Sequence, residues 1–151
     1  MEYWQQLSLS IFSLINLLVF SYGLYQCKYK KNAFGLTKLL FIFGIFAWGD
    51  AVIFAPFWII VSLITLLLQD WYLFLLIISV FWLVRSLGEM IYWFNQQFST
   101  ITRNPPNKLP FYSLFKNDSI WYVHQIFWQC VLVVSIILTI YRSKLWFENS
   151  F

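Results

Sequence analysis

The chain has 151 residues, 61% of them hydrophobic, 23% aromatic and 11% charged, with a mean hydropathy of +0.70. Soluble domains carry about 25% charged residues and lack the interior to hide so much apolar surface, so a soluble globular fold is excluded and the solvent is lipid. The formal net charge of +4 reports orientation across a membrane rather than affinity for nucleic acid, and no nucleic-acid partner is expected.

No polar stretch is long enough to form a separate soluble domain, so residues 1–151 are expected to form a single membrane domain. The first apolar stretch, Leu7 to Tyr25, follows Glu2 rather than a basic segment. It leads into Gln26, Cys27 and Lys28 without a small-residue cleavage site, and is expected to be a retained membrane helix rather than a signal peptide. Ser10, Ser13 and Asn16 recur every third residue, a stripe that suits contact with neighbouring helices. The short connection that follows carries Lys28, Lys30 and Lys31, with Lys38 soon after. By the positive-inside rule this end is cytoplasmic, where anionic headgroups attract such a cluster.

Leu36 to Leu68 is too long for one upright span: about 50 Å as a helix, against a hydrocarbon core of roughly 30 Å. Pro56 removes the amide that would bond to the carbonyl of Val52, so a kink is expected just after Asp50. A single long, kinked and tilted helix is the favoured arrangement. The alternative is a surface or re-entrant segment from Leu36 to Trp48, followed by a span from Ala51 to Leu68.

The third span, Trp71 to Asn95, is apolar throughout yet carries Arg85 and Glu89 one helical turn apart. A lipid-facing charge at mid-helix costs about 2.5–3.5 kcal/mol, so these residues need partners. Gln96 to Asn117 is a loop with Arg103, Lys108 and Lys116, and with Pro105, Pro106 and Pro110, whose proline steps forbid a continuous helix. The last span runs from about Ser119 to Tyr141, with Asp118 or Ser119 placed as its N-cap, and holds His124, Gln125, Gln129 and Cys130 in its first half. The expected fold is therefore all-α: a polytopic integral membrane protein with four transmembrane helices in one bundle, over about 7–25, 36–68, 71–95 and 119–141. Both termini are placed on the non-cytoplasmic side of the cell membrane.

Counting rise from the cytoplasmic ends puts Asp50, Arg85, Glu89, His124, Gln125 and Gln129 in one layer near or just inside the midplane. Arg85 is expected to pair with Asp50 across helices, leaving Glu89 to Tyr92, His124 and Gln125. These seven residues form the candidate charge network or ion site. Mutual neutralisation would make it a structural device, whereas ionisable groups in membrane interiors generally mark ion, proton or ligand paths.

No catalytic set is evident. His124, Glu89 and Asp50 are the one conceivable metal set, no H-E-x-x-H or C-x-x-C spacing occurs, and glycine-rich phosphate loops are absent. No mid-span lysine exists for a retinal Schiff base, so neither metal nor cofactor is expected. Trp48, Trp58, Trp82 and Trp128 could cage a cation or a flat ligand, but at this aromatic density they serve packing. The leading function is a transport or channel-type protein for an ion, proton or small solute, working in the lipid bilayer as a homo-oligomer. A non-catalytic subunit whose intramembrane charges meet a membrane-protein partner is the alternative. A membrane-embedded lipid-modifying enzyme, with Glu89 and His124 as acid and base, is weaker because a nucleophile is missing.

Overall fold

A computed structural model describes residues 1–37, 39–109, 111–115 and 117–150; Lys38, Pro110 and Lys116 lie outside the described residues. Its helices are α1 (Tyr3–Lys28), α2 (Trp48–Leu67), α3 (Trp71–Phe98), α4 (Tyr112–Phe115) and α5 (Ser119–Ser150). Four of these, α1, α2, α3 and α5, are long and apolar enough to cross a membrane. The chain is thus an all-helical, multi-pass type of membrane protein. It divides into two compact units, Met1–Ile77 and Ile78–Phe151.

In the first unit α1 and α2 run antiparallel. Gly23 lies opposite Ala51, and a Cβ added to Gly23 would come within 2.8 Å of the Ala51 Cβ. Ala51, Ala55, Trp58, Ser62 and Thr65 form the buried stripe of α2, while Leu9, Asn16 and Gly23 form that of α1. Small residues at these positions let the two backbones approach closely. Of the polar stripe expected on α1, only Asn16 is fully buried; Ser10 is exposed and its hydroxyl bonds back to the carbonyl of Gln6. Ser62 and Thr65 likewise donate to carbonyls of their own helix, so no hydroxyl is left bare in the contact.

The single helix expected over Leu36–Leu68 does not form: α2 begins only at Trp48, and the residues before it make a hairpin. Thr37 N–H donates to the Phe46 carbonyl at 2.9 Å and its hydroxyl to Ile45, while Leu36 and Ala47 pair as an isolated antiparallel bridge. A 3-10 turn over Phe41–Phe43 and the left-handed Gly44, at φ 71°, reverse the chain. Two side chains decide the outcome. Asp50 accepts hydrogen bonds from the amides of Phe46 and Ala47 at 3.0 and 3.2 Å, marking the helix start. The Trp58 indole donates to the Phe43 carbonyl at 3.2 Å and pins the tip.

The tip therefore descends along the helices. Tyr22 meets Trp48 at its base, with ring centroids 4.9 Å apart, and Phe12 meets both Phe43 and Trp58 at 5.4 and 5.7 Å. Trp58 lies about 15 Å along α2 from Trp48, so the hairpin reaches roughly halfway down a helix that is itself about 30 Å long. Its geometry matches the re-entrant alternative rather than the kinked helix. α2 then continues unbroken through Pro56 to Leu67.

At the opposite end of this unit, Trp4 and Trp71 meet edge to face at 5.4 Å. There too the Gln6 amide donates to the Gln69 side chain at 2.8 Å. Asp70 caps α3, accepting from the Leu73 amide at 2.9 Å.

In the second unit the ends of α3 and α5 are joined through the intervening loop. Trp93, Ile120 and Trp121 form a buried cluster, with Tyr92, Leu109, Tyr112 and Trp128 packed against it. The loop is held by side chains rather than by regular structure. Gln96 donates to the Ile101 carbonyl at 3.1 Å, and the Trp121 indole to that of Asn104 at 2.9 Å. α5 starts at Ser119, where Trp121 N–H bonds to the Asp118 carbonyl.

Candidate functional site

Four side chains of α3 in the second unit that carry polar atoms follow an i, i+4 repeat, Arg85, Glu89, Trp93 and Gln97, while Ser79, Ser86, Tyr92, Asn95 and Gln96 lie off it. Residues at that spacing stack along one face, each about 6 Å above the next. The first two form an ion pair, Arg85 Nη2 to Glu89 Oε1 at 3.0 Å, with side chains only 17% and 16% exposed. Glutamate C-terminal to its cation is not the better helix orientation, so the helix dipole does not favour the pair. Ser86, fully buried beside it, bonds to the Trp82 carbonyl at 2.6 Å.

One step further, Trp93 is 7% exposed and lies against the imidazole of His124, with ring centroids 4.7 Å apart. The Trp93 indole nitrogen is buried with no hydrogen-bond partner. His124 Nδ1 is 2.8 Å from the Ile120 carbonyl. A carbonyl only accepts, so Nδ1 carries a proton, and in the neutral ring Nε2 is then the accepting nitrogen. At the last step Gln97 donates to the Gln125 side chain at 2.6 Å and to the Trp93 carbonyl at 3.2 Å. Tyr92, on the neighbouring face, accepts from the Asn104 amide.

Of the residues expected to gather in one layer, the structure brings Arg85 together with Glu89, and Gln125 together with Gln97. His124 and Tyr92 sit toward the same end of α3, where His124 packs on Trp93 and Tyr92 bonds to Asn104. Gln129 is half-buried one turn beyond Gln125. Asp50 lies in the first turn of α2, at the helix start rather than some 20 Å along a longer helix. Its carboxylate accepts from the amides of Phe46 and Ala47.

Trp93, Gln97 and Asn104 are members of the arrangement that sequence reasoning missed. Trp93 and Gln97 were discoverable as continuations of the Arg85–Glu89 spacing. Nothing local marks Asn104, whose contacts are set by how the loop folds back.

No protein-family model, curated protein or solved structure matches this chain.

Among the described residues no three His, Cys, Asp or Glu side chains lie close enough together to hold a metal ion. Beyond the ion pair, Ile78, Ser79 and Trp82 of α3 and Phe127, Cys130 and Val134 of α5 line an apolar groove of about 380 Å³. The site thus combines a mostly buried ion pair, an imidazole in a fixed tautomer and an amide pair, in a row along one helix. Such a row places hydrogen-bonding and charged groups at successive levels along α3.

Proposed function

We propose that this chain is a small transport or channel-type membrane protein through which an ion, a proton or a small solute moves along the polar face of α3 and α5. The observation that carries the reading is the Arg85–Glu89 pair, mostly buried inside a helix long and apolar enough to span a bilayer. An ionisable pair at this depth is costly and is retained in membrane proteins chiefly along conduction or proton paths. The hairpin before α2 gives independent support. Irregular backbone at membrane depth survives where it is packed in protein or lines a water-filled cavity, as the re-entrant loops of channels do. Four helices alone seldom enclose a wide pore, so the conducting form is a homo-oligomer. The basic connections around Lys28–Lys31 and Arg103–Lys108 face the cytoplasm, and both termini lie on the other side.

The test is flux in liposomes reconstituted with purified protein and loaded with a pH-sensitive or cation-sensitive dye. Flux above that of empty liposomes, lost in Glu89→Gln while helicity and elution volume stay unchanged, is the expected result. Absence of flux, or flux indifferent to Glu89→Gln, overturns it.

A second reading, a non-catalytic subunit of a larger membrane assembly, is favoured by α5. Only 6% of its most apolar window is buried, and Val133, Val134, Ile137 and Ile140 present a broad apolar surface. Purification only in company with another polypeptide, and no flux when alone, would select it.

A further inference from the structure

The polar row on α3 is stopped partway. Glu89 and Gln97 each lie one i, i+4 step from Trp93, about 6 Å of rise on either side. At that level the indole is packed from several sides. It shares a buried cluster with Ile120 and Trp121, Leu109 and Tyr112 pack against the cluster, and the His124 imidazole lies on the Trp93 ring. The indole nitrogen is sealed in this packing without a hydrogen-bond partner. Leu109 and Tyr112 come from the segment between α3 and α5, so that segment supplies part of the seal. It is tied down at Asn104, which holds both helices at once. The Asn104 side-chain amide donates to the Tyr92 hydroxyl of α3, and its carbonyl accepts from the Trp121 indole of α5 at 2.9 Å. Gln96, itself buried, adds a second tie to the Ile101 carbonyl at 3.1 Å.

We propose that the Trp93 cluster is a dry gate across the polar row, closed in this structure, and that Asn104 is its latch. A constriction walled by apolar side chains excludes water, and with it an ion or a proton, and conducts once it wets. Release of Asn104 loosens residues 101–109 from α3 and α5 together and lifts Leu109 from the cluster. The Trp93 indole N–H then meets water, and Glu89 and Gln97 are joined by a wet level instead of a packed one. The closed gate is also poised, because it leaves unmade a hydrogen bond that opening satisfies. The inference deepens the transport reading, on which its role in flux rests. The latch over a sealed indole does not depend on that reading.

The experiment uses full-length protein with ¹⁵N-labelled tryptophan in lipid nanodiscs, and the same preparations in dye-loaded liposomes. Two variants loosen the latch from opposite sides: Asn104→Ala removes the donor and Tyr92→Phe the acceptor. Tyr92→Phe, the milder change, carries the test if Asn104→Ala does not fold. The Trp93 indole resonance, assigned by its absence in Trp93→Phe, is expected to exchange slowly with deuterated solvent in the wild type. In either variant it is expected to exchange about tenfold faster, the equivalent of one good hydrogen bond. The double variant is expected to match the single ones, since both remove the same bond. Flux is expected to rise by about the same factor and to be lost again when Glu89→Gln is added, which separates an opened gate from a leaking bilayer. An indole that exchanges as fast in the wild type as in the variants overturns the proposal. Wild-type flux that stays level or falls while exchange rises sinks the gate alone. Faster exchange with no flux in any preparation retains the latch and sinks the transport reading.

Discussion

Replacing Asp50 by alanine removes the acceptor for two amides at the start of α2, and hydrogen bonds to a charged group contribute about 1.5–3 kcal/mol. A lower thermal midpoint in detergent, with α2 otherwise intact, is the expected result. The Arg85–Glu89 pair calls for a different design. Arg85→Leu alone leaves a mostly buried carboxylate and is expected to cost about 2–4 kcal/mol. The double variant Arg85→Leu/Glu89→Leu removes both charges and is expected to recover most of that loss, because apolar replacement of a buried pair is often neutral. Recovered stability together with absent flux, measured by thermal unfolding and liposome assay, would separate a working pair from a purely structural one. At this scale the sequence revealed the pair itself, since two charges inside an apolar run stand out by composition. It concealed the helix cap and the loop contact. Asp50 looked like a mid-helix charge because the apolar run LLFIFGIF before it continues without a break, and only the hairpin makes it a cap. Asn104 and Trp121 meet across seventeen positions of the chain, a contact that no local pattern encodes.

Among the elements, the contact between α1 and α2 is the tightest, and Gly23 is its limiting position. Gly23→Val places branched carbons where the Ala51 Cβ already sits, and overpacking of this kind costs about 1–3 kcal/mol; unfolding of the reconstituted protein checks it. The hairpin tip is held differently, by one indole. Trp58→Phe keeps the ring contact with Phe12 but frees the Phe43 carbonyl, so hydrogen exchange over residues 36–47 is expected to accelerate well before that of α1 or α2. The four apolar helices were legible from length and hydropathy alone, although each of α1, α3 and α5 runs several residues beyond its apolar stretch. The hairpin was not. A short apolar run fits helix and strand equally, and periodicity does not separate them. What decides is the αL turn at Gly44 and a hydrogen bond from a tryptophan fifteen residues away.

For the molecule as a whole, the lysines after α1 set the expected orientation, and Cys27, half-buried at the end of α1, is a native reporter of it. A membrane-impermeant maleimide added to intact cells is expected to leave Cys27 unmodified and to modify it in inside-out vesicles; the reverse pattern would invert the topology. The hairpin also imposes an order on biogenesis. Its anchor, Trp58, is made fifteen residues after the carbonyl it holds, and Phe12 long before. While the ribosome is still extending α2, the LLFIFGIF segment has a floor but no latch, and it must wait at the headgroups. Nascent chains stalled with residue 46 clear of the ribosome but Trp58 still inside its exit tunnel should therefore expose this segment to added protease, whereas chains stalled after α2 has emerged should shield it: a loop that enters the bilayer backwards, once its successor has arrived.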